Sequence, residues 1–209
     1  MEERTLTKEH AAVVFGRPDE LESAIGLSET HAKQIGAIAV FAGNTEFRLE
    51  QAIWRLQAHK PAGVRHATDA KPVGELITML EAEGVGLVNP ELRKLVADWC
   101  AGAKIAFEFR HSIAHGVALK LETNINFERN RSWFGEVRKR PAASLWGDTN
   151  SFENIRLTFA ILLRVIIGLG NSKRPLETCT ASDWLRATSW ARGVMEEMNS
   201  GHGPWFEKY

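Results

Sequence analysis

The chain has 209 residues, of which 44% are apolar and 25% are charged, so its composition is that of a globular protein and excludes a disordered one. Its 26 lysines and arginines balance 26 aspartates and glutamates, which leaves no overall positive field to attract nucleic acid. We therefore expect no DNA partner, and any RNA role has to depend on a local basic patch. Cys100 and Cys179 are too few for a secreted disulfide framework, so both are expected to be reduced thiols.

The hydrophobic segments of the chain are short. Its first residues carry no apolar run of the kind found in signal peptides. The most hydrophobic stretch, residues 159–169, is shorter than the roughly 20 residues that a membrane span needs, and Arg164 lies in its middle. We expect a cytoplasmic protein that does not associate with membranes. Three placements are open for Arg164: extended to solvent, paired with a carboxylate, or in the same cleft as Arg110.

The polar first segment, residues 1–27, is predicted to be an N-terminal arm and not a separate domain. A short helix is expected around residues 8–15, and the tripeptide at 17–19, which contains Pro18, is expected to interrupt it. The remaining residues, 28–209, are predicted to form one helical domain.

Five helices are predicted in residues 28–209. Apolar residues recur at steps of three and four, which is the spacing that places one helix face on a core. Ser28 is a suitable N-cap for the first helix, and Asn89 for the third, which ends at Gly116. The fourth helix is apolar around most of its circumference, so it is central in the bundle or part of an oligomer interface. The predicted spans are 28–60, 73–83, 89–116, 151–169 and 181–199.

Residues 117–149, between the third and fourth helices, have a different pattern. Residues 117–121 alternate in polarity, residues 125–127 continue the alternation, and residues 132–134 resemble a returning strand. This segment is predicted to be a small β-hairpin or an irregular insertion. The predicted fold is therefore all-α: a helical bundle of about five helices with this insertion after the third main helix.

Two residues at the end of the third helix, Arg110 and His115, are the candidate catalytic pair. Arginine is permanently charged and offers several donors to phosphate oxygens, while histidine exchanges a proton near neutral pH. Together they suffice for the attack of a ribose 2′-hydroxyl on the neighbouring phosphate, and no metal or cofactor is needed. Spacing alone is a weak signal, because Arg4 and His10 match the same pattern. Arg110 and His115 differ from that pair because they lie at the end of a long amphipathic helix. Arg110 is expected on the apolar stripe of this helix.

These residues make the chain similar to the HEPN superfamily of helical domains, whose signature is an arginine, four to six residues and a histidine near the end of a core helix. The resemblance covers about residues 30–170 and includes the segment NTEFRLE at 44–50. Many members are metal-independent endoribonucleases that act as dimers, with two motifs facing one cleft. The resemblance implies that Arg110 and His115 are the catalytic pair of a homodimer. The family commonly has asparagine directly after the arginine, where this chain has His111.

Glu46 and His111 are the predicted supporting residues. Glu46 lies on the core stripe of the first helix, where it is a suitable ion-pair partner for Arg110. Such an ion pair would hold two helices together whether or not the protein is an enzyme. If the protein is not an enzyme, His115 would be only a helix cap. His111 and His115 are four residues apart and could face one metal ion, but the spacing supplies no third ligand, so no metal site is predicted.

Residues 128–140 form a basic and aromatic cluster. Aromatic faces stack on unpaired bases, while arginine and lysine follow the phosphates. The cluster follows the motif helix in sequence, so RNA could reach both. The alternative is a solvated hairpin whose tryptophan packs on the bundle. The candidate RNA-binding residues are Arg129, Arg131, Trp133, Arg138, Lys139 and Arg140.

The sequence supports three interpretations of function. The first is a metal-independent endoribonuclease acting on single-stranded RNA, in a toxin–antitoxin or defence setting with an antitoxin as partner. The second is a non-catalytic module of the same fold that binds a nucleotide, RNA or a protein partner. The third is a structural helical dimer in which Arg110 and Glu46 form a core pair.

Overall fold

The computed structural model describes Val13 and residues 16–58, 68–122, 124–129, 143–177 and 182–202. The prediction of a mostly helical protein with a β insertion after the third main helix is confirmed, with six helices in the described part of the chain where about five are predicted. The elements are α1 (Pro18–Ile25), α2 (Glu29–Leu56), α3 (Val73–Val85), α4 (Pro90–His115), β1 (Val117–Leu121), β2 (Asn124–Arg129), β3 (Ala143–Gly147), α5 (Thr149–Gly170) and α6 (Ser182–His202).

The additional helix, α1, lies within the predicted arm. Pro18 occupies the first turn of α1, where a missing N–H costs nothing, and Arg17 before it is not helical, with a φ of 34°. The helix ends at Gly26, whose φ of 78° is readily adopted only by glycine. Gly26 packs against the side chain of Lys120, so this part of the arm is attached to β1. The helix predicted around residues 8–15 lies outside the described residues, apart from Val13.

Side-chain caps set the starts of three helices. Ser28 caps α2 and Asn89 caps α4, as the sequence predicts, each accepting hydrogen bonds from backbone N–H groups of the first turn. Asp148 caps α5 by accepting a hydrogen bond of 2.7 Å from the backbone N–H of Ser151. Helix α5 therefore begins at Thr149, slightly earlier than its predicted start at 151.

The most extensive helix pair, α2 and α5, runs parallel through the centre of the bundle. Near the helix starts, Gln34 donates a hydrogen bond of 3.1 Å to the carbonyl of Thr149. Near the helix ends, Arg55 donates one of 2.8 Å to the carbonyl of Leu169. Parallel neighbours need a long connection, and α3, α4 and the sheet provide it. Trp99 of α4 donates to the carbonyl of Leu162 at 2.9 Å, which holds the motif helix against the same core.

Arg164 lies on the exposed side of α5, so its charge is in solvent and not in the core. Leu157 and Ile167 are also exposed on this helix, which explains why its apolar residues are not confined to one stripe. Among the described helices, none has both the length and the apolar character required to cross a membrane.

The predicted hairpin is part of a three-stranded antiparallel sheet in the order β1-β2-β3. Its inner face carries the row Ala118–Phe127–Leu145, which packs on the helices. Gly147 allows a close approach, because a Cβ there would lie 2.5 Å from the ring of Phe152. The return strand predicted at 132–134 lies outside the described residues, and the described third strand is Ala143–Gly147.

A buried carboxylate joins α4 to α6. Asp98, only 2% exposed, accepts hydrogen bonds of 2.7 Å from Lys94, 2.6 Å from Ser189 and 2.7 Å from Arg192. Burial by itself would raise the pKa of Asp98, but the hydrogen bonds from these three side chains outweigh it, and the pKa is lowered. The charged form of Asp98 is therefore stabilised in the folded protein.

Replacing Asp98 by Asn should lower the free energy of unfolding by roughly 1–3 kcal/mol at neutral pH, because three donors lose a charged acceptor. Since the folded-state pKa lies below the ordinary value of about 4, this stabilisation is complete above that pH and is lost as the pH falls through the folded-state pKa. Urea unfolding at several pH values measures both effects. The control is Glu196→Gln, which removes an exposed partner of Arg192 and should cost less than about 1 kcal/mol. An equal cost for the two variants, or a pH-independent one for Asp98→Asn, would contradict this description.

Candidate functional site

The last two turns of α4 carry both predicted catalytic residues. His115 is the exposed final residue of the helix, and Arg110 is half-buried. Phe109 and Ser112 occupy the buried positions of these turns. The prediction that Arg110 lies on the buried stripe is therefore wrong in detail, because the buried face turns toward the sheet at the helix end and leaves Arg110 at its edge. This position leaves Arg110 accessible to a ligand.

Arg110 and Glu46 do not form the predicted pair, since no ion pair joins these two described residues. Thr45 occupies the buried position on that face of α2, where its hydroxyl donates a hydrogen bond of 2.8 Å to the carbonyl of Phe41. Glu46, the next residue, is half-exposed. The periodicity allows either residue on the buried face, and the residue that satisfies its polar group within its own helix is the one that is buried.

His111 and His115 lie side by side on the exposed surface of the last turn. Their ring centroids are 4.5 Å apart and the ring planes are inclined by 54°. His111 is half-buried, and His115 is exposed. The spacing of four residues brings both side chains to the same face of the helix. The structure thus places His111, a predicted supporting residue, beside the predicted catalytic His115.

Arg129, at the end of β2, connects the sheet to this helix end. Its Nη2 donates a hydrogen bond of 2.7 Å to the carboxylate of Glu108, and its Nε donates one of 3.1 Å to the hydroxyl of Ser112. Ser112 in turn donates to the carbonyl of Glu108 at 3.2 Å. The Arg129 side chain is 15% exposed, whereas that of Glu108 is 71% exposed. Arg129 therefore connects the end of β2 to the last two turns of α4.

The surroundings of His111 favour its neutral form. Burial has the largest effect in lowering the pKa of His111, followed by the charges of Arg129 and His115, with a smaller contribution from Arg110. Glu108 acts in the opposite direction. At neutral pH His111 is consequently a neutral imidazole that can accept a proton, and it lies beside Arg110, which can interact with an anion.

The link from Glu108 and Ser112 to Arg129 is the part of the site that sequence reasoning missed. In β2, Arg129 continues the inward-facing series of Ile125 and Phe127. A charged residue in an inward series indicates an internal partner, and this signal was available in the sequence. From the sequence, Arg129 is instead grouped with the basic residues that follow it and predicted to bind RNA.

The other predicted RNA-binding residues, Arg131, Trp133, Arg138, Lys139 and Arg140, lie outside the described residues. The structure therefore brings together Arg110, His111, His115 and Arg129 and leaves Glu46 apart from them. Within the described ranges, no group of three or more potential ligands is placed to hold a metal ion.

Comparisons of the chain with protein-family models, with curated proteins and with solved structures found no match.

Substitutions at Arg129 and Glu108 should move the pKa of His111 in opposite directions. Arg129→Gln removes a positive charge and should raise the pKa, whereas Glu108→Gln removes a negative charge and should lower it further. NMR titration of the imidazole C–H resonances measures both. Arg164→Gln, a change at an exposed arginine of α5, is the control and should leave the titration unchanged. A fall in the pKa of His111 in Arg129→Gln would show that the electrostatic description is wrong.

Proposed function

We propose that the protein is a metal-independent endoribonuclease of the HEPN type that cleaves single-stranded RNA at the end of α4. The observation that supports this proposal best is the pair His111 and His115 beside Arg110 on an accessible helix end. Two imidazoles and a guanidinium are sufficient groups for phosphodiester transesterification. Arg129 keeps them in place from the adjacent strand.

In the proposed reaction His111, as the neutral imidazole, accepts the proton of the ribose 2′-hydroxyl. The 2′-oxygen forms a bond to the adjacent phosphorus, and the bond from phosphorus to the 5′-oxygen of the next nucleotide breaks. His115 in its protonated form gives a proton to the departing 5′-oxygen. The products are a 2′,3′-cyclic phosphate and a 5′-hydroxyl.

Arg110 has a separate role in this scheme. Its guanidinium is permanently charged and presents paired donors to the two non-bridging phosphate oxygens, where negative charge increases in the transition state. The half-buried Arg110 lies within electrostatic range of His111.

We further propose that the protein acts as a homodimer in which two helix ends face one cleft, in a toxin-like or defence role with an antitoxin as a regulatory partner. This follows from the resemblance to the HEPN superfamily. The exposed Leu157 and Ile167 of α5 supply apolar surface that a second subunit could cover.

Arg110→Ala and His115→Ala should each reduce the rate of RNA cleavage by roughly 10²- to 10⁴-fold, because each removes a group that acts in the transition state. The assay incubates purified protein with single-stranded RNA in excess chelator and follows product formation by gel electrophoresis. Arg93→Ala, which changes an exposed arginine in the first turn of α4, at the opposite end of that helix, is the matched control and should cleave normally. Cleavage that persists in both motif variants, or a wild-type protein that never cleaves, would refute the assignment.

A second candidate is a non-catalytic module that binds a nucleotide or RNA at the same helix end. His111 favours this candidate, because it directly follows the arginine, where the HEPN superfamily commonly has asparagine. This candidate predicts salt-sensitive binding with no product formed.

A further inference from the structure

Helix α2 has an exposed face that carries no charge in its middle part, since residues 34–45 contain no charged residue. On this face Gly36, Val40, Gly43 and Phe47 follow one another at steps of four, three and four residues. Val40 is 61% exposed and Phe47 is 51% exposed. The steps place the four residues in one line along the helix, and this is the spacing of a helix that pairs with another helix.

The two glycines of this face are not explained by packing within the subunit. A Cβ at Gly36 or Gly43 would meet no atom of the described residues within 4 Å. By contrast, Gly102 of α4 lies where α6 approaches closely, and a Cβ there would lie 3.3 Å from the Cα of Arg192. Glycine in the middle of a helix is less favourable than alanine. A side chain of a second helix that inserts above Gly36 and Gly43 would account for both.

We propose that this face of α2 is an interface between two copies of the chain, in which the two α2 helices pair antiparallel about a two-fold axis. In the register that we propose, Phe47 of one copy lies over Gly36 of the other, and Val40 lies over Gly43. Each large side chain meets a glycine, and the two-fold axis repeats both contacts. A surface that complements itself in this way fits a second copy of the same chain. This inference does not rest on the proposed nuclease activity.

The charged residues at the two ends of this face favour the antiparallel register. The same steps continue to Lys33 before Gly36 and to Glu50 after Phe47. The register brings Lys33 of one copy opposite Glu50 of the other, so opposite charges meet at both ends of the interface. Glu50 accepts a hydrogen bond of 3.2 Å from Thr68, and a carboxylate can accept several donors. A parallel pairing would instead place two copies of Lys33 opposite each other, where like charges repel.

The antiparallel pairing keeps the two ends of α4 apart. Gln34 connects the start of α2 to Thr149 at the start of α5, which directly follows the sheet that contacts the end of α4. Because the two starts of α2 lie at opposite ends of the interface, the two ends of α4 do so as well. A cleft between two α4 ends, as in the proposed nuclease, needs a separate surface. A protein that forms both contacts assembles beyond a dimer.

The experiment measures the mass of the assembly in solution by light scattering after gel filtration. Phe47→Glu places a charge against Gly36 of the second copy, so the mass should fall to half that of the wild type. Val85→Glu on α3, where Val85 is 71% exposed, is the matched control and should leave the mass unchanged. Lys33→Glu should raise the dissociation constant of the assembly by about 10-fold at low salt, because it brings two negative charges together. An unchanged constant would contradict the antiparallel register.

Gly43→Leu separates assembly from folding. Open space surrounds Gly43 in the subunit, and leucine favours a helix more than glycine does, so circular dichroism should show an intact fold. The leucine fills the space opposite Val40 of the second copy, so the mass should again be halved.

A monomeric wild type, as expected if another segment or a different protein covers this face, would overturn the inference. An unchanged mass in both Phe47→Glu and Gly43→Leu would also overturn it, and RNA cleavage by those variants would leave the proposed nuclease standing. Halved masses in a protein that cleaves no RNA would support the interface and remove the nuclease.

Discussion

The hydrogen bonds of Arg129 to Glu108 and Ser112 are the interaction on which the candidate site depends. They attach the end of β2 to the final turns of α4, two elements that the chain connects only through Gly116 and β1. The helix end also packs on the sheet at Gly116, which lies against Phe127 of β2. The positions of His111 and His115 are therefore determined by the same core that holds the bundle together.

The same arginine also contributes to the chemistry of the helix end. Burial of the imidazole, followed by the positive charge of the mostly buried Arg129, lowers the pKa of His111 and favours its neutral form. Arg110 has no such carboxylate partner among the described residues, so its charge is available to a phosphate. One arginine therefore has a structural and electrostatic role, and the other is the arginine that we propose contacts the phosphate.

The helices could be predicted from sequence, since apolar spacing and the caps Ser28 and Asn89 are local signals. The position of the motif at the end of α4 followed from them. The alternation of Ile125, Phe127 and Arg129 indicates an internal partner for Arg129, but it does not identify Ser112 as that partner. The burial of Thr45 in place of Glu46 does not follow from local spacing either. Each depends on how an element rotates about its axis, which tertiary packing decides.

The most direct test of the proposed chemistry is the fate of a 2′-O-methyl oligonucleotide that contains a single unmodified ribonucleotide. The protein is incubated with it in excess chelator, and the products are identified by mass spectrometry. Attack by the 2′-hydroxyl predicts one cut, directly after the unmodified ribonucleotide, with a 2′,3′-cyclic phosphate on one product and a 5′-hydroxyl on the other. Cuts at methylated positions, or a product that ends in a 5′-phosphate, would contradict a site built from Arg110, His111 and His115.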